Sequence, residues 1–359
     1  MARVKKSVLV TFDLELARRT QLHNARHPVK SGDAFFSFVG DAGPVAQALE
    51  AQGFKAKTLG LDAKNVSTAL PKALKAVDLV FNLCDTLGGE SRLAPLVPAL
   101  LEAHGVNGVG ADQFGLAVSK RKHDVKAILV REGLPTPRFQ VIDSVAAAKT
   151  FTLELEAPVI LKLTAEHSSI GLSSASVCFD EAEVRTLGAQ LVKKYRQPVL
   201  LEEYVHGREF YVSFAGHPLT ALPMMEHRFE NLPEGYLPIR TFDMKWFNDP
   251  TKGGERPKQD PRWTQPVPYR QGAVPWRGSL DDIPAVCQRA FEAVGGRDWG
   301  RVDLRLDRGG VPHVIDVTPN TYLGPSAPCV KAAAELGWSY EAFVGRIAKG
   351  ALKRGPAHG

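Results

Sequence analysis

Between Ala157 and Gly171 the chain reads Ala-Pro-Val-Ile-Leu-Lys-Leu-Thr-Ala-Glu-His-Ser-Ser-Ile-Gly, and this stretch narrows the choice of architectures more than any other. An apolar run of strand character ends at Lys162, and a small polar loop closing on Gly171 follows within a few residues. A fixed cation beside such a loop suits a nucleotide polyphosphate. The ammonium supplies a point charge, while backbone N–H groups of the Ser168-Ser169-x-Gly171 turn can converge on other phosphate oxygens. The Gly-rich Walker A pattern is absent. A lysine after an apolar run also reads as a strand end reaching solvent, so the following segments have to decide.

They favour the nucleotide. Gln197-Pro-Val-Leu-Leu-Glu202-Glu203-Tyr204-Val205 is a second short apolar run, this one ending in two carboxylates, and a strand pattern resumes at Glu209. A linker of that kind between two sheets offers backbone groups to an adenine edge and carboxylates to its amino group and to ribose hydroxyls. In Trp299-Gly-Arg301-Val-Asp303-Leu-Arg305-Leu the polar residues recur with period two, so one face of a strand carries Arg301, Asp303 and Arg305. Val314-Ile-Asp316-Val-Thr318-Pro-Asn320 then sets a second carboxylate at the end of a hydrophobic strand. Two acids on neighbouring strands, with oxygen-bearing companions, make a hard-cation site of the kind that holds Mg²⁺ through substrate phosphates.

Taken in order, these segments resemble the ATP-grasp enzymes and, among them, the D-alanine–D-alanine ligases, over roughly three quarters of the chain from about Asp78 to the region of Leu352. The glycine-rich turn Gly88-Gly89-Glu90 and the Ser119-Lys120-Arg121-Lys122 segment before the Gly133-Leu-Pro-Thr-Pro137 break belong to the same pattern. The resemblance implies an ATP-grasp fold, α/β and α+β multidomain, with an N-terminal Rossmann-like parallel sheet. Breaks in pattern place the units at 1–117, at 118–203 with the ATP lid, and at 204–359 with the metal and catalytic residues. It implies ATP and one or two Mg²⁺ ions, with Mn²⁺ an alternative metal. Lys122 (or else Lys120) and Lys162 would contact phosphates under a lid of Ser168, Ser169 and Gly171. Glu202, Glu203, Tyr204 and Val205 would line the adenine pocket, and Glu209 would hold the ribose. Lys245 would reach the terminal phosphate, Arg301 would stabilise a tetrahedral intermediate, and Asp303 and Asp316 would bind metal. Gly324 and Ser326 fall where the second substrate's carboxylate is received.

Departures from the family pattern gather on the amino-acid side. Asp316-Val-Thr318 stands where Glu-x-Asn is expected, so either Asn320 replaces the missing ligand or the second metal is held less tightly. The strand Val8–Asp13 lacks the glycine-rich acidic signature that orients the first substrate's ammonium, leaving Glu15 as a positional candidate. Trp246 replaces a tyrosine. The expected activity is therefore carboxylate–amine ligation through an acyl phosphate, with small amino-acid-like substrates other than D-alanine; a small-molecule kinase and a degenerate ATP-binding protein are the alternatives.

Composition agrees. With 359 residues and 44% apolar content, the chain can bury a core across two or three domains. Its four cysteines are scattered without CxxC spacing, which argues against zinc, redox pairs and a disulfide framework. The net charge of +6 is dispersed and lacks an aromatic-basic motif, which speaks against nucleic acid and suits anionic substrates. Without an apolar run of membrane length or a signal-peptide core, the expectation is a cytoplasmic protein with no membrane partner, for which a homodimer is compatible. Phe229 to Gly278, irregular and rich in Pro, Gly and Trp, reads as a substrate cover, and 331–349 as a single closing helix.

Overall fold

Short apolar strands alternating with amphipathic helices force the first hundred residues into a parallel sheet, since parallel neighbours need a crossover between them. A computed structural model describes residues 5–18, 41–166, 169–229, 237–241, 273–275 and 282–356 of the protein. In it β1 (Ser7–Asp13), β2 (Lys55–Leu61), β3 (Leu79–Asn82) and β4 (Gly108–Val109) form that sheet in the order β2-β1-β3-β4. Helices α1 (Ala42–Ala51), α2 (Val66–Leu74) and α3 (Leu96–Ala103) make the connections. Two further helices, α4 (Gln113–Ser119) and α5 (Lys122–Arg131), lead to the central part of the chain.

There β5 (Phe139–Ile142), helix α6 (Val145–Lys149), β6 (Val159–Leu163), β7 (Val177–Cys178), helix α7 (Glu181–Tyr195) and β8 (Val199–Glu203) follow in turn, the strands pairing antiparallel in the order β5-β8-β6-β7. Helix α7 carries its boundaries in its sequence. Asp180 caps it by accepting from the Glu183 N–H at 2.8 Å, acids occupy the first turn, and Lys193 and Lys194 face the negative end of the dipole.

The third sheet follows the linker after β8. It contains β9 (Glu209–Ala215), β10 (Thr220–Ala221), β11 (Met225–His227), β12 (Ala273–Pro275), β13 (Trp299–Leu306) and β14 (Pro312–Pro319), the main path running β12-β11-β9-β13-β14. Helix α8 (Ile283–Ala293) packs on one face. The alternation read from sequence holds through β13: Val302 and Leu304 are fully buried, while Arg301, Asp303 and Arg305 point the other way into a cleft. Trp299, also fully buried, lies 5.3 Å from Phe81 of β3, so the parallel sheet and the third sheet share one core.

The expected single helix over 331–349 is two: α9 (Pro328–Ala334) and α10 (Tyr340–Arg354). Gly337 takes a left-handed φ of 75° and Ser339 caps the new helix by accepting from the Ala342 N–H, so the chain turns where the apolar spacing alone suggested continuity.

Gly300 fixes how closely α8 approaches β13, because a Cβ there would meet the Phe291 ring and stand 2.9 Å from the Thr318 carbonyl oxygen. Gly300→Ala should therefore lower unfolding stability by about 1–3 kcal/mol through overpacking, read from a urea titration. An unchanged midpoint would contradict this packing.

Candidate active site

One cavity lies between the second and third sheets. Its walls come from β6 and the loop after it (Lys162, Glu166, Ser169), from β8 and the linker (Glu202 to Val205), from α5 (Lys122) and from β13 and β14 (Arg301, Asp303, Arg305, Asp316). Each contributor is the polar end or polar face of an otherwise buried element, which is why the charges converge.

Lys162 sits near the end of β6, beside β8, and its ammonium pairs with the Glu202 carboxylate. A second lysine holds the same carboxylate from the opposite side. Lys126 of α5, 2% exposed, pairs with Glu202 and donates to Thr136 Oγ1 at 2.7 Å and to the Val314 carbonyl oxygen at 2.9 Å. Burial pulls the Lys126 ammonium down to about 8 against the upward pull of Glu202. Burial would raise the Glu202 carboxyl, but the two lysines overturn that and keep it below its ordinary value. Lys126 escaped the sequence reading. Its signal was the spacing of four from Lys122, which puts both lysines on one side of a helix.

Lys122 reaches across to β14 and contacts both oxygens of Asp316 at 3.1 Å. Lys120 instead pairs with Asp85 and is not among the lining residues, so of the two candidates the cleft receives Lys122. Asp303 and Asp316 are register partners on β13 and β14, and Arg301 holds Asp303 through contacts of 2.7 and 2.9 Å. The hinge residues also line the cavity. Tyr204 donates its hydroxyl to the Pro238 carbonyl oxygen at 2.9 Å, with the Arg305 guanidinium 4.8 Å from its ring centroid. Glu203 accepts from Arg138 at 3.1 Å, and Val205 completes the wall. The Glu209 carboxyl is raised by burial despite Arg305, whose Nε lies 3.8 Å away.

The loop after β6 turns back at Ser169 and Gly171, with φ of 62° and 75°, and the Leu172 N–H donates to the Ser169 carbonyl oxygen at 3.0 Å. Ser169 Oγ donates to the Arg240 carbonyl oxygen at 2.9 Å, tying the loop to 237–241, one described part of the expected cover, of which Ile239 and Arg240 line the cavity; another, Ala273–Pro275, is instead β12 of the third sheet, paired with β11. Ser168, Lys245 and Trp246 lie outside the described residues.

Other candidates stand elsewhere. Asn320, expected as a metal ligand, has a left-handed φ of 54° that turns its side chain away from Asp316; its Oδ1 accepts from the Ala111 N–H at 2.8 Å. Thr318, the register partner of Arg301, is the residue that shares a strand face with Asp316. Gly324 and Ser326 are not among the lining residues. Leu323 and Gly324 donate backbone N–H groups to Asp41, whose carboxyl burial pushes up to about 7, and Ser326 Oγ lies 3.4 Å from Tyr322 Oη. Glu15 is also not among the lining residues, and its N–H is donated to Asp13 Oδ1 at 2.9 Å.

A D-alanine–D-alanine ligase of Xanthomonas axonopodis pv. citri is 30% identical over 315 residues, which are 85% of this chain and 87% of that protein. The chain belongs to the D-alanine–D-alanine ligase family. It thereby joins the ATP-dependent ligases that form C–N bonds on the ATP-grasp fold. The D-alanine–D-alanine ligase of Actinobacillus succinogenes is 27% identical over 308 residues, covering 84% of this chain and 89% of its own. "Uncharacterized protein y4sG" of Sinorhizobium fredii is 32% identical over 277 residues, covering 77% and 75%. No protein-family model matches the chain. In three dimensions, the ATP complex of the Bacillus anthracis D-alanine–D-alanine ligase superposes with a TM-score of 0.64 at 15% identity, covering 99% of this chain and 100% of that one.

Because Asn320 bridges to the loop after β4, Asn320→Ala should act on stability. Loss of this part-buried hydrogen bond should cost about 0.5–1.5 kcal/mol in a denaturant titration. A shift in metal requirement at unchanged stability would contradict the placement.

Proposed function

We propose that this ligase joins the carboxylate of one amino-acid-like substrate to the amine of another through an acyl phosphate, and that the pair it joins is not two D-alanines. The observation that carries the ligation reading is the convergence of Lys122, Lys162, Arg301, Asp303 and Asp316 on one cavity that the end of β8 and the following linker, Glu202 to Val205, also line. Purine and ribose would rest on the linker and Glu209, with the phosphates extending toward Lys162 and Lys122. The substrate carboxylate attacks the γ-phosphorus and ADP departs. An amine then adds to the acyl carbon, and phosphate leaves with the former carboxylate oxygen. Arg301, half-buried beside Asp303, is positioned to hold the oxyanion of that addition. Ser169 and the 237–241 segment would keep water from the acyl phosphate. Catalytic roles for Lys245 and Ser169, and lid roles for Ser168 and Gly171, belong to this same reading.

Mg²⁺ fits Asp303 and Asp316. Among the described residues no group of three or more His, Cys, Asp or Glu could hold a metal by itself, but this ion commonly takes one or two carboxylates and completes its shell with phosphates and water. When bound it supplies neutralisation of phosphate charge. Lys122 and Arg301 pair with these carboxylates.

The substrate reading rests on the amino-acid side. Asp13, the acid at the end of β1, is spent on the fold: its Oδ2 accepts from Thr86 Oγ1 at 2.5 Å and from the Gly89 N–H at 2.8 Å, closing the glycine-rich turn. An ammonium-binding acid of the family type is thus not evident there, and a site lacking a dedicated polar partner discriminates weakly against larger substrates. Phosphate release measured over pairs of amino acids should require both a carboxylate and an amine, with D-alanine alone a poor substrate. Robust, selective D-alanine dimerisation would contradict the substrate proposal, and release with a single substrate and no amide product would contradict ligation.

Lys162→Ala should weaken ATP binding by about 2–5 kcal/mol, measured by calorimetry, because phosphate charge is left uncompensated. Thr318→Asn should reduce the Mg²⁺ concentration needed for half-maximal rate, since an amide oxygen on the Asp316 face is the better hard-cation ligand. Unchanged ATP affinity in the first variant, or an unchanged Mg²⁺ requirement in the second, would remove the corresponding assignment.

A further inference from the structure

Glu202 is 1% exposed and faces two ammonium groups, yet those groups are not equivalent. Lys126 uses its three donors on Glu202, Thr136 Oγ1 and the Val314 carbonyl oxygen, so it has none left for a ligand, and it does not line the cavity. Its partners belong to β8, to the segment before β5 and to β14, which fixes it across the junction of the second and third sheets. Lys162 lines the cavity, its side chain is 17% exposed, and among the described residues Glu202 is its one partner. A lysine that must serve a phosphate is thus held by a carboxylate, and leaving it would strand a buried anion unless another cation stayed behind.

We propose that Lys126 is a positioning residue of this site: it keeps Glu202 paired, and thereby lets Lys162 exchange the carboxylate for a nucleotide phosphate. The inference rests on the nucleotide reading of the cavity. Lys126 touches no reactant and acts through Glu202 alone. Without it, Glu202 holds Lys162 as its single counter-ion, and phosphate must compete with a buried ion pair. Neutralising Glu202 as well should release Lys162 again.

The test compares wild type with Lys126→Met, Glu202→Gln and the double variant. Calorimetry with ATP should show affinity falling about tenfold or more in Lys126→Met, and the double variant matching Glu202→Gln, because Lys126 has no role once the anion is gone. A loss in the double variant well beyond that of Glu202→Gln would overturn the proposal, as would Lys126→Met binding ATP like wild type. Should Lys126→Met fail to fold, the comparison of the other two variants still decides.

A second readout needs no nucleotide. The rate of acetic anhydride acylation of Lys162, followed by mass spectrometry, should fall in Lys126→Met and rise in the double variant. A purely structural role predicts faster acylation in Lys126→Met through local opening, and that result would overturn the proposal. A wild type that fails to bind ATP would strike the nucleotide reading and leave the acylation rates to judge Lys126.

Discussion

The buried carboxylate of Glu202 between Lys126 and Lys162 is the contact on which the cleft depends. An ion taken this far out of water is tolerated only with partners of opposite charge, and the partners here come from different layers: Lys162 from the second sheet, Lys126 from the helix that packs toward the third. The pairing therefore does more than satisfy one residue. It joins β8, β6, α5 and, through the Val314 carbonyl oxygen, β14, so that the linker after β8 and the acidic face of β13 and β14 line one cavity.

Charge organises the rest of the site in the same manner. Each carboxylate that the third sheet contributes to the cleft lining pairs with a cation: Asp316 with Lys122, Asp303 with Arg301 and Glu209 with Arg305. Such pairs are exchangeable. On the proposed reading, a polyanion accompanied by a divalent cation would present the lysines with phosphate and the aspartates with metal, so that each partner would trade one counter-charge for another without leaving a buried charge alone. This electrostatic logic accounts for mixed charge in the cleft, where cations alone would repel one another.

Much of this was legible in the chain. The period of two over Trp299–Leu306 placed Arg301, Asp303 and Arg305 on one face because strand geometry leaves no other choice, and Lys162 was marked by the apolar run that delivers it to the cavity. What was hidden depends on contacts between distant segments or on single backbone angles. Lys126 looks like an ordinary solvated helix lysine until Glu202 arrives beside it. Asn320 has the right chemistry for a metal, but a left-handed turn aims it at Ala111 instead. Gly324 is held by Asp41, a partner from the far end of the chain that no spacing announces. The division of the last helix came from Gly337 and the Ser339 cap, both visible in the sequence but outweighed there by apolar periodicity.

On the proposed function, this cleft activates a carboxylate by phosphorylation before an amine captures it. Oxygen transfer reports on that step directly. With an amino-acid substrate labelled with ¹⁸O in its carboxylate, an amine acceptor and unlabelled ATP, one labelled oxygen should pass to each phosphate released with the amide product. Amide formation accompanied by unlabelled phosphate would contradict the account.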